Sequence, residues 1–493
     1  MDKDTYQYFH YNDVPKDLIN QLVKRASQSP YRQAFHIEAD SGYLNDPNGF
    51  SYFNGRYHLF YQWSPINYAE GNVWYQGWHH LVSEDLVHWQ SLGPGIEPTS
   101  DYETHGAYSG SALDLGEELL IFYTGNTRDK HWQRKPYQII ARMDKNNRMT
   151  KELPPTIQGQ PSGYTDHFRD PKLWRKNGKF YAVVGIQREN LTGAALVLTS
   201  EDSSHWQIAG ELSTGLTNFG YMWECPDYFE IEDTAVLIFS PQGLAPQGDK
   251  YQNIYQTGYI IGQAISSENL TFSQSAQFVE LDRGFDFYAP QSSHLPDGRR
   301  VLFGWMGLPE IQYPTEEYDY CGCLTCPRAI TYRNGQLYQY PVSELNTLRA
   351  ESITIHQNES YEIFKQSDME VWIKQANHAD WQLNLGFDEQ FTERLIISFN
   401  HQTNCLYLDR SHLNRKLATE YGSQRCIFDN VGASVTLRIL MDTSSIEIFV
   451  NQGATAASAR FFVEGEQRWL RFDGQDQEMS GKIWRIKGAK IDE

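Results

Sequence analysis

Asp46-Pro47-Asn48-Gly49-Phe50, followed by Asn54-Gly55-Arg56-Tyr57, has a second copy in Asp170-Pro171-Lys172-Leu173-Trp174, followed by Asn177-Gly178-Lys179-Phe180. The two copies are 124 and 123 residues apart. Each reads as a strand, a tight Asn-Gly hairpin turn and a second strand. A second pair stands in step with the first: Ser83-Glu84-Asp85-Leu86-Val87-His88-Trp89-Gln90 against Ser200-Glu201-Asp202-Ser203-Ser204-His205-Trp206-Gln207. The turn-then-strand unit recurs near Gly116, at Glu232-Asp233 ahead of Ala235, and at Asp297-Gly298 ahead of Val301. Five such turns thus follow one another at intervals of roughly 55 to 65 residues. A four-stranded unit repeated on that scale is what the blades of a β-propeller require.

Outward from the repeats, Leu18, Ile19, Leu22 and Val23 lie at helical spacing between Val14 and Ala26, with Pro15 early in the first turn. Beyond Pro341 a short helix is expected from Val342 to Ala350. Alternating runs follow, such as Met369-Glu370-Val371-Trp372-Ile373-Lys374 and Ile446-Glu447-Ile448-Phe449-Val450, which read as a β-sandwich. The expected fold is all-β: a five-bladed β-propeller followed by a C-terminal β-sandwich, with a short N-terminal helix. The boundaries are an N-terminal helical extension over 1–35, the catalytic propeller over 36–341, a linker helix over 342–354 and the sandwich over 355–493. No low-complexity linker separates the two halves, so they are expected to pack firmly.

The formal net charge of −20 disfavours nucleic acid and anionic membrane as partners. The polar start, Met1 to Tyr11, has no apolar core of a signal peptide, and no run of eighteen apolar residues occurs, so a cytoplasmic location is expected. Six Cys in 493 residues make no disulfide framework. Cys321, Cys323 and Cys326 form C-x-C-x-x-C, but no His or Cys follows closely as a fourth ligand, and no metal is expected.

Three acids stand in Gly/Pro/Asn-rich, apolar strand starts: Asp46 after Tyr43-Leu44-Asn45, Asp170 after Phe168-Arg169, and Glu224 between Trp223 and Cys225. Asp46 to Asp170 is about two repeat units and Asp170 to Glu224 is 54 residues, about one. The phase puts all three at the same place in their units, converging on the central channel. Cleavage of a glycoside needs one ionised carboxylate and one that carries a proton. Glu224, in its apolar setting, suits the proton carrier. Asn45 and Asn48 beside Asp46, and Arg169 beside Asp170, are expected to keep those two ionised.

The same residues resemble glycoside hydrolase family 32. Gly42–Gly49 is similar to its W-M-N-D-P-N-G motif, Phe168–Pro171 to its R-D-P motif and Trp223–Pro226 to its E-C-P motif. Tyr108-Ser109-Gly110-Ser111-Ala112, Asp286–Gln291 and Asp442–Asn451 add further matches, in the family's order along nearly the whole chain. The resemblance implies a retaining β-fructofuranosidase, with Asp46 as nucleophile, Glu224 as acid and then base, and Asp170 on the fructose hydroxyls. It places Asn45, Gln62, Trp78, Ser109, Arg169, Tyr288 and Trp305 in the fructose subsite, and implies no cofactor. Tyr43, Leu44, His79 and Cys326 depart from the family's usual residues without removing a catalytic group.

The substrate this implies is sucrose or sucrose 6-phosphate. A phosphate needs cations, and Arg128, Lys130 and Arg134 form a basic loop after Gly125-Asn126-Thr127. A hydrolase of short β-fructo-oligosaccharides, a different five-bladed glycosidase and a non-catalytic carbohydrate-binding propeller are the other readings. A homo-oligomer is left open.

Overall fold

The computed structural model describes residues 7–8, 10–67, 73–375, 379–475 and 477–489. Residues 1–6 and 9 of the expected N-terminal extension, and 490–493 at the end of the expected sandwich, lie outside them.

The Asn-Gly turns form as their sequence demands. Asn54 and Gly55 take φ of 48° and 80°, and Asn177 and Gly178 take 51° and 82°. Two successive left-handed residues give the turn whose twist matches the flanking strands. The second repeat also holds atom by atom. Asp85 and Asp202 each accept the backbone N–H three residues on, at 2.8 Å, and the Trp89 and Trp206 indoles donate to Leu86 O and Ser203 O at 3.0 and 2.8 Å.

These turns organise five antiparallel sheets. Their first strands are β1 (Gly42–Phe53), β2 (Ala107–Asp114), β3 (Tyr164–Lys176), β4 (Met222–Ile231) and β5 (Tyr288–His294). β1 lies beside β2, β2 beside β3, β3 beside β4, β4 beside β5, and β5 returns to β1, so the five close a cycle. The β1 sheet gains a fifth strand, Tyr320–Cys321, which pairs parallel to Gly42–Tyr43. Each neighbouring pair of sheets holds its own apolar core between them. The middle strands are therefore covered on both faces. That explains the unbroken run Leu119-Leu120-Ile121-Phe122-Tyr123, every residue of which is buried.

All five first strands carry a one-residue bulge, within one residue of the same place in the strand. Two residues face one on the next strand between Leu44 and Pro47, Ala107 and Gly110, Arg169 and Lys172, Glu224 and Asp227, and Tyr288 and Gln291. Proline fills the second bulged position of three of them (Pro171, Pro226, Pro290), where no ladder N–H is required, and Pro47 directly follows the bulge of β1. The fifth has Gly110, where an added Cβ would meet Phe122 O at 2.1 Å.

The helix α1 spans Lys16–Ala26, with Pro15 as its N-cap rather than inside its first turn. The helix expected over 342–354 is shorter. Ser343–Leu348 is a 3₁₀ turn, and Arg349–His356 is already a strand paired with Glu478–Ile486. The reason is local: Ile353 and Ile355 alternate with polar residues, a strand period. Two six-stranded sheets follow and share one apolar core. They are joined to the first region by a common core in which Leu345 and Leu348 meet Leu440 and Phe449.

Candidate active site

The bulges stack two rings of side chains at one end of the five-strand cycle. The outer ring is Asn45, Tyr108, Arg169, Glu224 and Tyr288. The ring at the bulges is Asp46, Ser109, Asp170, Cys225 and Ala289. Asp170, Cys225 and Ala289 adopt φ of 69°, 47° and 48°, a costly backbone for non-glycine residues that the bulge imposes. The expectation that the three acids share one position is corrected here. Counted from the Pro that follows, Asp46 and Asp170 do, but Glu224 stands one residue earlier, with Cys225 in its place. The acids converge from two adjacent levels.

Asp46 accepts the Ser109 hydroxyl at 2.7 Å, the Asn45 amide at 3.1 Å and the Cys225 thiol at 3.4 Å. Asp170 accepts the Cys225 backbone N–H at 3.0 Å, and its own N–H donates to Thr124 Oγ1 at 3.2 Å. Glu224 is gripped on both oxygens. Arg169 donates to Oε1 through Nε at 3.0 Å and through a terminal nitrogen at 2.6 Å, while Tyr288 and Gln242 donate to Oε2 at 2.7 and 2.9 Å. The apolar setting inferred for Glu224 is therefore wrong. Trp223 points into the core between sheets, as alternation along a strand requires, and polar side chains meet the carboxylate.

The other expected subsite residues divide. Asn45, Ser109, Arg169 and Tyr288 bond the acids directly. Trp305 packs edge-on to Tyr43 and Tyr288, at 6.0 and 6.4 Å between ring centroids. Trp78 is wholly buried among Phe60 and Tyr123, and its indole donates to Tyr108 O at 3.1 Å. Gln62 donates to Ala107 O at 3.1 Å and accepts from Gln76. Both are bonded to the backbone of β2.

The basic loop divides too. Arg134 donates to His167 Nδ1 at 3.0 Å, the same atom that Arg169 reaches at 3.0 Å, and its guanidinium lies 6.0 Å from the Tyr108 ring centre. Arg128 donates to Trp132 O at 3.1 Å. Lys130 is exposed at the turn beside Asp129. Burial first, then Arg169, Arg134 and Arg128, push His167 down to about 3, so it is a neutral acceptor between guanidinium groups.

The Glycosyl hydrolases family 32 N-terminal domain matches residues 36–341, and the family's C-terminal domain matches 339–485. The chain belongs to glycoside hydrolase family 32. Its relatives within the family include the sucrose-6-phosphate hydrolases of Staphylococcus xylosus (39% identical, covering 93% of this chain and 92% of that one) and Bacillus subtilis (37%, covering 97% and 99%). Among solved structures, a sucrose-6-phosphate hydrolase from Lactobacillus gasseri superimposes with a TM-score of 0.91 at 36% identity, covering 98% of this chain and 99% of that one. A mutant β-fructofuranosidase of Bombyx mori in complex with sucrose superimposes with a TM-score of 0.83 at 28% identity, covering 96% and 98%.

In this family 32 hydrolase the charges of the acids are set by burial, against the reading from sequence neighbours. Burial, and after it Glu224, push Asp46 up to about 6, although the Ser109, Asn45 and Cys225 bonds pull the other way. Burial also pushes Asp170 up to about 7, with the charges of Glu224 and Asp46 adding and Arg169 opposing. Arg169 was expected to hold Asp170 ionised, but it hydrogen-bonds Glu224 instead.

Gln242, Thr124 and His167 were missed in the sequence. Gln242 lies across the ladder from Met222, and only the register reveals it. Cys225 was quoted only as part of a motif. The signal for its role was the Pro that follows it, the same mark that follows Asp46 and Asp170.

Proposed function

We propose that this enzyme hydrolyses the β-fructofuranosidic bond of sucrose 6-phosphate with retention, with Asp46 as nucleophile, Glu224 as acid and base, and Asp170 on the fructose hydroxyls. Asp46 attacks C2 while Glu224 gives its proton to the departing glucosyl oxygen. Water then adds to C2, losing a proton to Glu224 and displacing the Asp46 carboxylate. Ser109 and Asn45 orient Asp46 through its two oxygens. Arg169, Tyr288 and Gln242 orient Glu224. This route calls for carboxyl groups about 5–5.5 Å apart.

The observation that carries the substrate choice is the cationic row leading away from Glu224. Arg169 touches the acid, His167 bridges Arg169 to Arg134, and Arg128 lies beyond. A leaving group protonated by Glu224 has its 6-phosphate on this side. Arg128 and Arg134 are its ligands, with Lys130 as an outer charge. The relatives named sucrose-6-phosphate hydrolase favour the same substrate.

In this reading 36–341 is a five-bladed propeller, supported by the closed cycle of first strands, with the acids at its mouth. The two six-stranded sheets, from Arg349 onward, are the sandwich. A phosphorylated sugar as substrate fits a cytoplasmic location. Self-association is tested by sedimentation velocity at several protein concentrations, and Trp372, exposed on the outer face of its sheet, is a place for it.

The test is kcat/KM on sucrose and on sucrose 6-phosphate, side by side. The expected result is a preference for the phosphorylated sugar by at least about tenfold, as one charge-assisted phosphate contact implies. Equal or faster turnover of free sucrose overturns the phosphate assignment.

A further inference from the structure

The five first strands lead away from the acids to a second cavity of about 340 Å³. Each contributes to it: Ser51 from β1, Ala112 from β2, Lys172 from β3, Phe229 from β4 and Ser292 from β5. It therefore lies at the opposite end of the cycle from Asp46 and Glu224. Between the two is a void of about 10 Å³ under Asp170 and Cys225. A volume of this size falls at the lower end of small-ligand sites, roughly 300–1,000 Å³.

Its charges do not balance. Lys172 is buried and donates to Ser292 O, and its ammonium is 3.3 Å from Asp227 Oδ2. Arg300 is half-buried, with its guanidinium 4.1 Å from the Phe229 ring centre and one bond, at 3.0 Å, to Ser292 Oγ. Asp227 is the carboxylate that both cations face. It is buried, and Oδ2 also accepts the Ser292 N–H at 2.5 Å. The outer lining adds no counter-charge. Glu230 pairs with Lys176 at 2.6 Å, while Asp114 accepts the Gly116 N–H and is offset by Arg175 at the same rim. Two cations, one buried and one half-buried, on one carboxylate leave a surplus positive charge inside a protein of net charge −20.

We infer that this cavity binds a phosphate group, as the free ion or as a monoester, between the Arg300 guanidinium and the Lys172 ammonium. Arg300 has donors beyond the one held by Ser292, and its planar fork matches a phosphate. The phenyl ring under Arg300 keeps water from one face of the guanidinium, which strengthens its pull on an anion. Lys172 and Asp227 follow Asp170 and Cys225 by two residues on the same strands. An anion that draws Lys172 from Asp227 therefore acts on the strands that carry the acids.

The test is thermal unfolding in the Arg134→Met background, which removes the phosphate contact proposed for the active site. Inorganic phosphate and glucose 6-phosphate are titrated separately. The expected result is a saturable rise in Tm that Arg300→Met abolishes and Arg300→Lys keeps in part. A rise with both ligands assigns the phosphate group alone; a rise with one identifies the source. The inference is overturned by the absence of any rise, or by a rise that survives Arg300→Met. Should Arg300→Met fail to fold, crystals of the unaltered protein soaked in selenate give the answer. An anomalous peak within hydrogen-bond reach of Arg300 supports the site, and an empty cavity sinks it.

Discussion

The buried carboxylates at the acids and those where the first region meets the second are built on opposite principles. At the acids, Asp46 and Asp170 are pushed up to about 6 and about 7 by burial and by the charge of Glu224. Where the first region meets the second, Glu447 is just as buried yet is held at about 2. The difference is in the partners. Glu447 accepts Arg328 through two nitrogens, at 2.8 and 2.5 Å, His36 at 2.9 Å and the Cys326 N–H at 2.8 Å. Asp442 accepts three consecutive backbone N–H groups, Ala34 to His36, and the other nitrogen of His36 at 2.9 Å. His36 lies between two carboxylates; burial opposes its charge, but Cys326, Asp442 and Glu447 raise its affinity for a proton well above the ordinary value. His36, Cys326 and Glu447 have the donor atoms of a metal site, but both ring nitrogens and both Glu447 oxygens already have partners. The completed cluster fixes structure. The incomplete one leaves carboxylates able to change charge, which is what chemistry requires.

Breaking each cluster at one carboxylate gives the largest effects, of opposite kinds. Glu224→Gln keeps the shape of the side chain and removes the proton. The expected loss in kcat is about 10²–10⁴-fold, with only a small change in Tm. Glu447→Gln takes from Arg328 and His36 one of the two carboxylates that each holds, leaving Asp282 and Asp442. The expected cost is about 3–5 kcal/mol of stability, with kcat on the folded protein nearly unchanged. Unfolding in urea, run beside single-turnover rates, separates the two. If Glu224→Gln is the more destabilising, the contrast between the clusters fails.

A smaller effect tests the charges themselves. Asp170 titrates near 7 in the folded chain against 3.8 for an ordinary aspartate. Between those values the folded state holds a proton that the unfolded state has lost. Stability therefore falls as pH rises from about 4 to about 7, by an amount on the order of a few kcal/mol. Asp170→Asn removes this loss. Its Tm is expected to exceed that of the parent at pH 8, and the gap to close by pH 4. Asp46 has the same sign, and its ionisation near 6 places the acid limb of kcat/KM there. A gap that stays constant with pH shows that Asp170 is ionised on folding.

How far this contrast was legible in the sequence depends on how local its causes are. The Asn54-Gly55 and Asn177-Gly178 turns, and the Asp85 and Asp202 turns, are decided by residues two or three apart, and they were read correctly. The three acids were found because each heads a repeat. Their phase was misjudged by one residue because a bulge adds a residue without marking itself, except by the Pro after it. The direction in which Asp46 and Asp170 shift was misjudged because burial outweighs the Asn45 bond and the Arg169 charge, and burial is not written in the neighbouring residues. Trp78 and Gln62 show the same limit from the other side. Their motifs place them near the site, but only the structure shows their contacts with Phe60, Tyr123 and Gln76 and their bonds to β2. The Glu447 cluster joins residues 36, 328 and 447, and no local pattern announces it.

The smallest effect asks whether the cations near Glu224 belong to the acid or to the ligand. Arg134 does not touch Glu224; it reaches His167, which Arg169 also holds. If Arg134 binds the 6-phosphate, Arg134→Met removes a charge-assisted contact from one substrate only. The expected loss of kcat/KM on sucrose 6-phosphate is then about tenfold to a hundredfold, while the value on sucrose stays within about threefold. Added salt should shrink the preference of the parent and leave that of the variant nearly flat. If both substrates lose equally, the row of guanidinium groups works through His167 and Arg169 on the placement of Glu224. The active site would then resemble the Glu447 cluster more than the present contrast allows, with its cations serving a carboxylate of the protein instead of a phosphate of the substrate.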